Sequence, residues 1–381
     1  MRDRLLPVMV PTSGSMPWPI AWSRSLGSTF AVGTDGKHEA PTRLRLRGPF
    51  MKICVTGGHG FIGRAACRKL AASGHSVTVL DIQKPLPTQP WASASVVGDI
   101  RDLAACRRAF AGCDRVLHLA AAHQDFGITD AEYFDVNQRG TATVCDAMAC
   151  EAVGELCLYS SVAVYGAAAK PRAETTTPMP SGSYGASKLA AEIVAQQWVA
   201  GDLSRRCLIM RPTVVFGPES VANMHALMRQ IYRKRFVLIG NGCNIKSLAC
   251  VDNVVAATLF LWGLQPDCRP RELPDRCNTF NYVDQPDLSV AQIVDAIHEA
   301  FHRPRPTVRI PLWLGLLAAI PFDLAIALTG RNLPISSARI RKLATATEFQ
   351  ADKVHSSGFL PPLTLREGIA QMADTFVPAQ G

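Results

Sequence analysis

The sequence predicts an α/β fold in which a doubly wound parallel sheet carries a smaller C-terminal lobe. Three observations predict it. Strand-like runs alternate with helix-length segments from Met51 onward, a glycine-rich turn joins the first strand to the first helix, and the alternation loosens after Pro212 and becomes mainly helical from Pro286.

Taken in order, Lys52 to Thr56 is a strand running straight into Gly57-Gly58-His59-Gly60-Phe61-Ile62-Gly63, and a helix follows from Phe61 to Ser73. Strands at Ser76 to Asp81 and near Ser95 to Gly98, a helix from Leu103 to Phe110 and a strand from Arg115 to Leu119 continue the βαβ rhythm. A helix around Asp135 to Ala152, a strand from Glu155 to Ser160, a helix bearing Tyr184 and Lys188, and strands at Cys207 to Arg211 and Asn278 to Val283 complete it. Ser289-Val290-Ala291-Gln292 is a capping box that opens a helix of the C-terminal lobe. The expected division is an extension over 1–50, a dinucleotide-binding domain over 51–285 with 213–250 contributing to the substrate site, and a substrate lobe over 286–381.

At 381 residues and 48% hydrophobic content the chain can bury a large core. Its twelve cysteines show no Cys-x-x-Cys pair, which predicts reduced core residues of a cytoplasmic protein and no zinc site. The formal charge of +9 is uneven: residues 1–50 carry seven Lys/Arg against three Asp/Glu, leaving 33 against 28 for the rest. No basic stripe with interleaved aromatics points to nucleic acid. Residues 1–50 lack either hydrophobic period and any apolar signal region, and a chain of this type begins naturally at Met51, so a mis-assigned start codon is the preferred reading.

The stretch Ile310 to Leu328 is almost wholly apolar and approaches the roughly 20 residues of a membrane-spanning helix. Pro311, Gly315, Pro321 and Asp323 interrupt it, which predicts two short lobe helices around a kink at Pro321. A peripheral membrane or dimer contact is the alternative, and the basic cluster Arg339, Arg341, Lys342 favours an anionic neighbour.

Gly57, Gly60 and Gly63 stand where a pyrophosphate needs them, between strand and helix, so that its charge meets the N–H groups and dipole of the helix beginning at Phe61 and Ile62. Asp81 ends the next strand, 18 residues after Gly63, where a carboxylate accepts from ribose hydroxyls and repels a 2′-phosphate. That favours NAD over NADP, although Lys84 leaves a lysine-assisted NADP site as the alternative.

Tyr184 is a candidate acid/base because Lys188 follows four residues later on the same helical face. A tyrosine ionises at about 10, so it needs a nearby cation to work near neutrality. Ser161, at the end of a strand, can present its hydroxyl to a substrate oxygen.

With these motifs the chain resembles the extended short-chain dehydrogenases/reductases of the NAD-dependent epimerase/dehydratase family, from Met51 onward. The resemblance implies a Rossmann fold, NAD, and a Ser161/Tyr184/Lys188 site. It implies further that Asp99 and Ile100 contact adenine, that the His118-Leu119-Ala120-Ala121 segment lines the cofactor, and that Asn137 holds a proton-relay water. Arg211-Pro212 through Phe216-Gly217-Pro218 resembles the turn into the substrate loop, and Val251-Asp252-Asn253-Val254 a later signature.

Family members that eliminate water or carbon dioxide carry acids directly after the serine or threonine, where this chain has Val162 and Ala163. Chemistry needing only hydride and proton transfer is left: epimerisation, or simple oxidation or reduction. Asn223 and the Gly240 to Ser247 segment with Lys246 resemble loops that hold the diphosphate of a nucleotide sugar. The expected enzyme is therefore a nucleotide-sugar epimerase or oxidoreductase, a homodimer by the habit of such folds. Lipid-directed, hydroxysteroid dehydrogenase-like relatives share the Tyr/Lys pair and form the alternative. A nucleotide-sensing binding protein is disfavoured by the intact pair.

His298-Glu299-Ala300-Phe301-His302 matches a zinc-protease pattern. With Pro304 and Pro306 immediately after it and no third ligand evident, it is read as coincidence, and no metal is expected.

Overall fold

The central strands are apolar almost without interruption, as strands covered on both faces must be. The computed structural model describes residues 50–85, 91–124, 127–166, 171–265, 273–305, 309–329 and 336–376, together with the backbone but not the side chains of 338, 339, 342 and 343. The expected extension over 1–50 thus lies, but for Phe50, outside the described residues. Residues 47–381 form one compact unit.

Its centre is a seven-stranded, wholly parallel sheet. The strands are β1 (Lys52–Thr56), β2 (Ser76–Asp81), β3 (Ala94–Val97), β4 (Arg115–His118), β5 (Glu155–Tyr159), β6 (Arg206–Pro212) and, after short pairs elsewhere, β11 (Cys277–Tyr282). Their order is β11-β6-β5-β4-β1-β2-β3, so the winding reverses between β1 and β4. Past the carboxyl ends of those two strands the connections leave in opposite directions and open a crevice.

Helices α1 (Phe61–Ala72) and α7 (Val251–Leu261) cover one face, and α2 (Leu103–Phe110), α4 (Gly140–Cys150) and α5 (Ser183–Ala200) the other. A separate apolar cluster joins α6 (Asn223–Tyr232), α8 (Val290–Ala300) and α12 (Leu365–Asp374). The short strands β7 (Val214–Phe216), β8 (Leu238–Ile239), β9 (Ile245–Lys246), β10 (Leu248–Cys250), β12 (Leu288–Ser289) and β13 (Arg309–Ile310) form three separate pairs, β7 with β10, β9 with β12 and β8 with β13. Asn253, in the Val-Asp-Asn-Val segment, stitches distant segments together: its amide donates to Asp284 and to the Leu363 carbonyl, and its oxygen accepts from the Leu363 N–H.

The helix expected around 135–152 begins earlier. A capping box at Thr129 and Glu132 opens α3 (Asp130–Phe134), which passes through a π turn at Asp135–Arg139 into α4. The 310–328 stretch is one helix rather than two. Helix α9 (Leu312–Thr329) runs through Pro321 and is only 11% buried. The remaining helices are α10 (Ser337–Ala344) and α11 (Asp352–His355).

Candidate active site

The crevice is built around the glycine turn after β1. Gly57 has φ of +69°, and a Cβ there would stand 2.8 Å from the Ala120 nitrogen, so the turn after β1 and the segment after β4 can touch only through glycine. A Cβ on Gly63 would overlap the Gly57 carbonyl oxygen. Gly60 is the N-cap of α1 and offers no side-chain cap, and the first turn contains no acid. In contrast, α3, α8 and α12 each close their N-terminus with a capping box. The first N–H groups of α1, from Phe61 to Gly63, therefore face the crevice end without a local anion, and a pyrophosphate fits that cradle.

Asp81, at the end of β2, is buried and accepts from the His59 N–H at 2.9 Å and from the Gln83 N–H at 2.9 Å. It locks the glycine turn to the neighbouring strand, and each oxygen keeps acceptor capacity for a ribose hydroxyl. Asp99 is half-exposed and paired with Arg101, whose hydrogen bonds hold its carboxyl below the usual range. Ile100 is a core side chain against Gly140, which leaves only its main chain to a ligand. Leu119, Ala120 and Ala121 are half-buried after β4, and the backbone of Leu119 and Ala120 lies against Gly57. His118 is buried and belongs to the scaffold beneath them.

That scaffold is a hydrogen-bond chain whose proton positions follow from its ends. Thr141 Oγ1 donates to the Asn137 carbonyl at 2.5 Å, so it accepts from His118 Nε2 at 3.1 Å. His118 Nδ1 then accepts from Thr56 Oγ1 at 2.7 Å, and Thr56 Oγ1 accepts from the Ala120 N–H at 3.3 Å. Burial, helped by the charge of Lys188, lowers the His118 pKa to about 3. The ring stays neutral, since a second ring proton would point at a donor.

From Asn137 the chain reaches the helix that carries Tyr184 and Lys188. The Asn137 amide donates to the Ala122 carbonyl at 3.0 Å and to Ser187 Oγ at 2.9 Å, and its oxygen accepts from the Ala122 N–H at 2.8 Å. Ser187 in turn donates to the Tyr184 carbonyl at 2.9 Å. Both amide hydrogens of Asn137 are thus committed to protein groups, which makes it a staple between the post-β4 segment and α5.

Ser161 follows β5 and caps the short 3₁₀ turn Val162–Tyr165, accepting from the Ala163 N–H at 3.1 Å. Gly185, in the first turn of α5, rests on the Ala163 carbonyl with no room for a Cβ. This contact seats the start of the Tyr184 helix against the Ser161 turn. Tyr184 is half-buried, its ring 6.0 Å from that of Tyr133. Lys188 is 4% exposed, and burial lowers its pKa to about 8 while the Glu192 carboxylate resists the shift. Glu192 is itself clamped by Arg211, at 2.8 and 2.5 Å, and Arg211 also donates to Tyr165 at 2.7 Å. Tyr184, Lys188 and Glu192 thus share one face of α5 at four-residue spacing. Arg211, read in sequence only as the entry to a turn, holds the far end of that face.

The two candidate substrate residues lie on other elements. Asn223 is exposed at the start of α6, and Lys246 lies in β9 with its ammonium donating to the Thr345 carbonyl at 2.5 Å. The zinc-protease pattern does not form its helical face. Helix α8 ends at Ala300, His302 has φ of +51°, and His298 is engaged with the Pro304 carbonyl. Among the described residues no cluster of three metal-ligating side chains occurs.

A glycine cradle at a sheet switch point, beside a tyrosine and a buried lysine one turn apart, defines a nicotinamide-dependent enzyme of the extended short-chain dehydrogenase/reductase type. Residues 53–265 match the model of the NAD dependent epimerase/dehydratase family, and the chain belongs to that family, with NAD as its cofactor. It is 34% identical over 318 residues to the N-acetyl-alpha-D-glucosaminyl-diphospho-ditrans,octacis-undecaprenol 4-epimerase of Escherichia coli O157:H7, covering 83% of this chain and 92% of that one. It is 27% identical to the UDP-glucose 4-epimerase of Vibrio cholerae, over 86% and 96% of the two chains. The UDP-glucose 4-epimerase of Thermotoga maritima, solved with UDP-glucose, shares the fold with a TM-score of 0.67 at 21% identity, over 85% and 98%.

Proposed function

We propose that this enzyme is an NAD-dependent 4-epimerase of a sugar carried on a diphosphate, such as a nucleotide sugar. The similarity to a 4-epimerase along 92% of that relative's length carries the reading. The absence of any carboxylate at Val162 and Ala163, directly after Ser161, supports it, since elimination and decarboxylation lack their acid.

The cradle of Gly57, Gly60 and Gly63, the amides of Phe61 to Gly63, Asp81, the main chain around Asp99 and Ile100, and Leu119 to Ala121 would hold NAD. Held there, NAD would supply a reversible hydride acceptor for the sugar carbon. Tyr184, ionised with the help of the Lys188 ammonium, accepts the proton of the C4 hydroxyl and later gives it back. Ser161 hydrogen-bonds the same oxygen and steadies it while it is a ketone. Asn137 positions α5 through Ser187, and Lys188 both supports the phenolate and reaches the nicotinamide ribose. Return of the hydride to the opposite face requires the ketone to turn in the pocket, for which a flexible diphosphate tether is suited. Asn223 and Lys246 are assigned to that diphosphate and 286–381 to the sugar-binding lobe. A cytoplasmic homodimer belongs to the same reading.

The test is to incubate the protein and NAD with UDP-glucose, UDP-N-acetylglucosamine and polyprenyl-diphosphate N-acetylglucosamine and follow the configuration at C4. Accumulation of the C4 epimer without NADH is expected with wild type and not with Tyr184→Phe. NADH formed in proportion to a ketone, or full turnover by Tyr184→Phe, overturns the proposal.

A further inference from the structure

Helix α9 has a mean hydropathy of 1.9 over its 18 residues, yet Gly315 and Ala319 are its buried side, Gly315 resting on Ile239. Trp313 is 68% exposed, Leu317 and Ile320 56%, Leu324 60% and Leu328 77%. The single charged side chain of the helix, Asp323, is turned to α10, where it accepts from the N–H and hydroxyl of Ser337. The outer side of α9 therefore presents apolar groups without a charge. Exposed apolar side chains spaced singly need no account, but a contiguous helix of them does.

We infer that α9 lies in the surface of an anionic lipid bilayer and that, on the 4-epimerase reading above, the sugar diphosphate acted on is anchored in that bilayer by a polyprenyl chain. The charges around the helix select this occupant. Strand β13, which leads into α9, pairs in parallel with β8, so Arg309 stands beside Leu238. This brings the exposed Arg233, Lys234 and Arg235, just before β8, to the same end of α9 as exposed Arg309. Arg341, on α10 packed against α9, is exposed as well. The acids nearby are committed, Asp295 to Arg305 at 3.8 Å and Glu299 to Arg366 at 3.2 Å. An apolar helix rimmed by cations matches a layer of acyl chains beneath anionic headgroups, and Trp313 is of the type that settles at that boundary.

The helix does not cross the bilayer. Its length of about 27 Å would nearly suffice, but the β13 pairing, the seat on Ile239 and the Asp323 contact to Ser337 hold both halves against the protein body. A second copy is the weaker occupant, because an antiparallel pair about a twofold axis would cover the apolar side of α9 but supply no anionic partner for the cations at its start. In the bilayer position the tail of a lipid-carried substrate stays in the membrane and the sugar diphosphate alone enters the crevice.

Flotation of the full chain with phosphatidylcholine vesicles, with and without phosphatidylglycerol, tests the docking. Wild type is expected to float with the anionic vesicles and to be released by salt, and the double variant Leu317→Glu/Leu324→Glu to remain in solution. The same variant should lose at least roughly tenfold in kcat/KM toward vesicle-embedded polyprenyl-diphosphate N-acetylglucosamine while keeping its rate on a short-chain, water-soluble analogue. Failure of wild type to float, or a dimer that dissociates when Leu317 and Leu324 are changed, overturns the docking even if epimerisation is intact. Preference for UDP-sugars over the vesicle-embedded substrate overturns the lipid carrier. Flotation without turnover of any sugar leaves the docking standing and sinks the epimerase reading instead.

Discussion

Asn137 donates its amide to the hydroxyl of Ser187, the residue immediately before Lys188, at 2.9 Å. Because the same amide group grips both the N–H and the carbonyl of Ala122, one side chain fixes α5, which carries Tyr184 and Lys188, relative to the segment after β4. Through Thr141, His118 and Thr56 the linkage extends back to β1 and the glycine turn.

Asn137→Ala leaves the Ala122 groups and Ser187 without their partner in a buried place, which costs about 1–3 kcal/mol. Urea denaturation should show that loss. If the staple sets the pose of Tyr184 and Lys188, kcat should fall by at least roughly tenfold with a smaller change in KM. An unchanged kcat in a destabilised variant would reduce Asn137 to a purely structural group.

Lys188 is held by the fold at a stability cost. Its pKa is about 8 in the folded chain against 10.5 for the ordinary side chain, so below pH 8 folding must bury a charge. Lys188→Met should raise unfolding free energy by about 1–3 kcal/mol at neutral pH while abolishing epimerisation. The advantage should shrink as pH rises from 8 to 10.5, where the unfolded wild type also loses its proton. Denaturant titrations of both proteins across that range decide it.

The buried imidazole predicts a specific acid sensitivity. His118 has a folded pKa of about 3 against 6.5, so the unfolded chain binds the extra proton throughout that interval. Its contribution is complete above pH 6.5 and is lost at about 1.4 kcal/mol per pH unit as the pH falls toward 3. His118→Gln, which cannot take up that proton, should show a shallower acid slope in stability measured between pH 6.5 and the onset of unfolding.

Gly63→Ala tests the cradle. The added methyl would overlap the Gly57 carbonyl oxygen, and backbone on both sides has to move. NAD affinity, measured by calorimetric titration, should drop by roughly a hundredfold, with about 1–3 kcal/mol lost from the fold by overpacking. Retained affinity would mean that the turn can open without disturbing the phosphate position.

The strands, the glycine turn and the Tyr/Lys pair were legible because each is a local pattern: β1, β2 and α2 fall at the residues expected, and α5 carries Tyr184 and Lys188 as spaced. The start of the helix near 135 was misplaced because the capping box at Thr129 and Glu132 acts three residues apart ahead of any clear hydrophobic period. Helix α9 was read as two pieces because Pro321 removes one N–H, yet the helix continues through it.

What the sequence determined by itself is therefore the groups available: a glycine turn between strand and helix, a phenol, a lysine one turn beyond it, and no acid directly after Ser161. What only the tertiary structure decided is which groups share a burial environment. The pairing of β4 with β1 sets His118 between Thr56 and Thr141, the packing of α5 encloses Lys188, and β6 delivers Arg211 to Glu192 across 19 residues of chain. Those pairings arise from strand order and close packing. Local spacing contains no record of them, because the cost of burying each charge depends on neighbours that only the folded chain supplies.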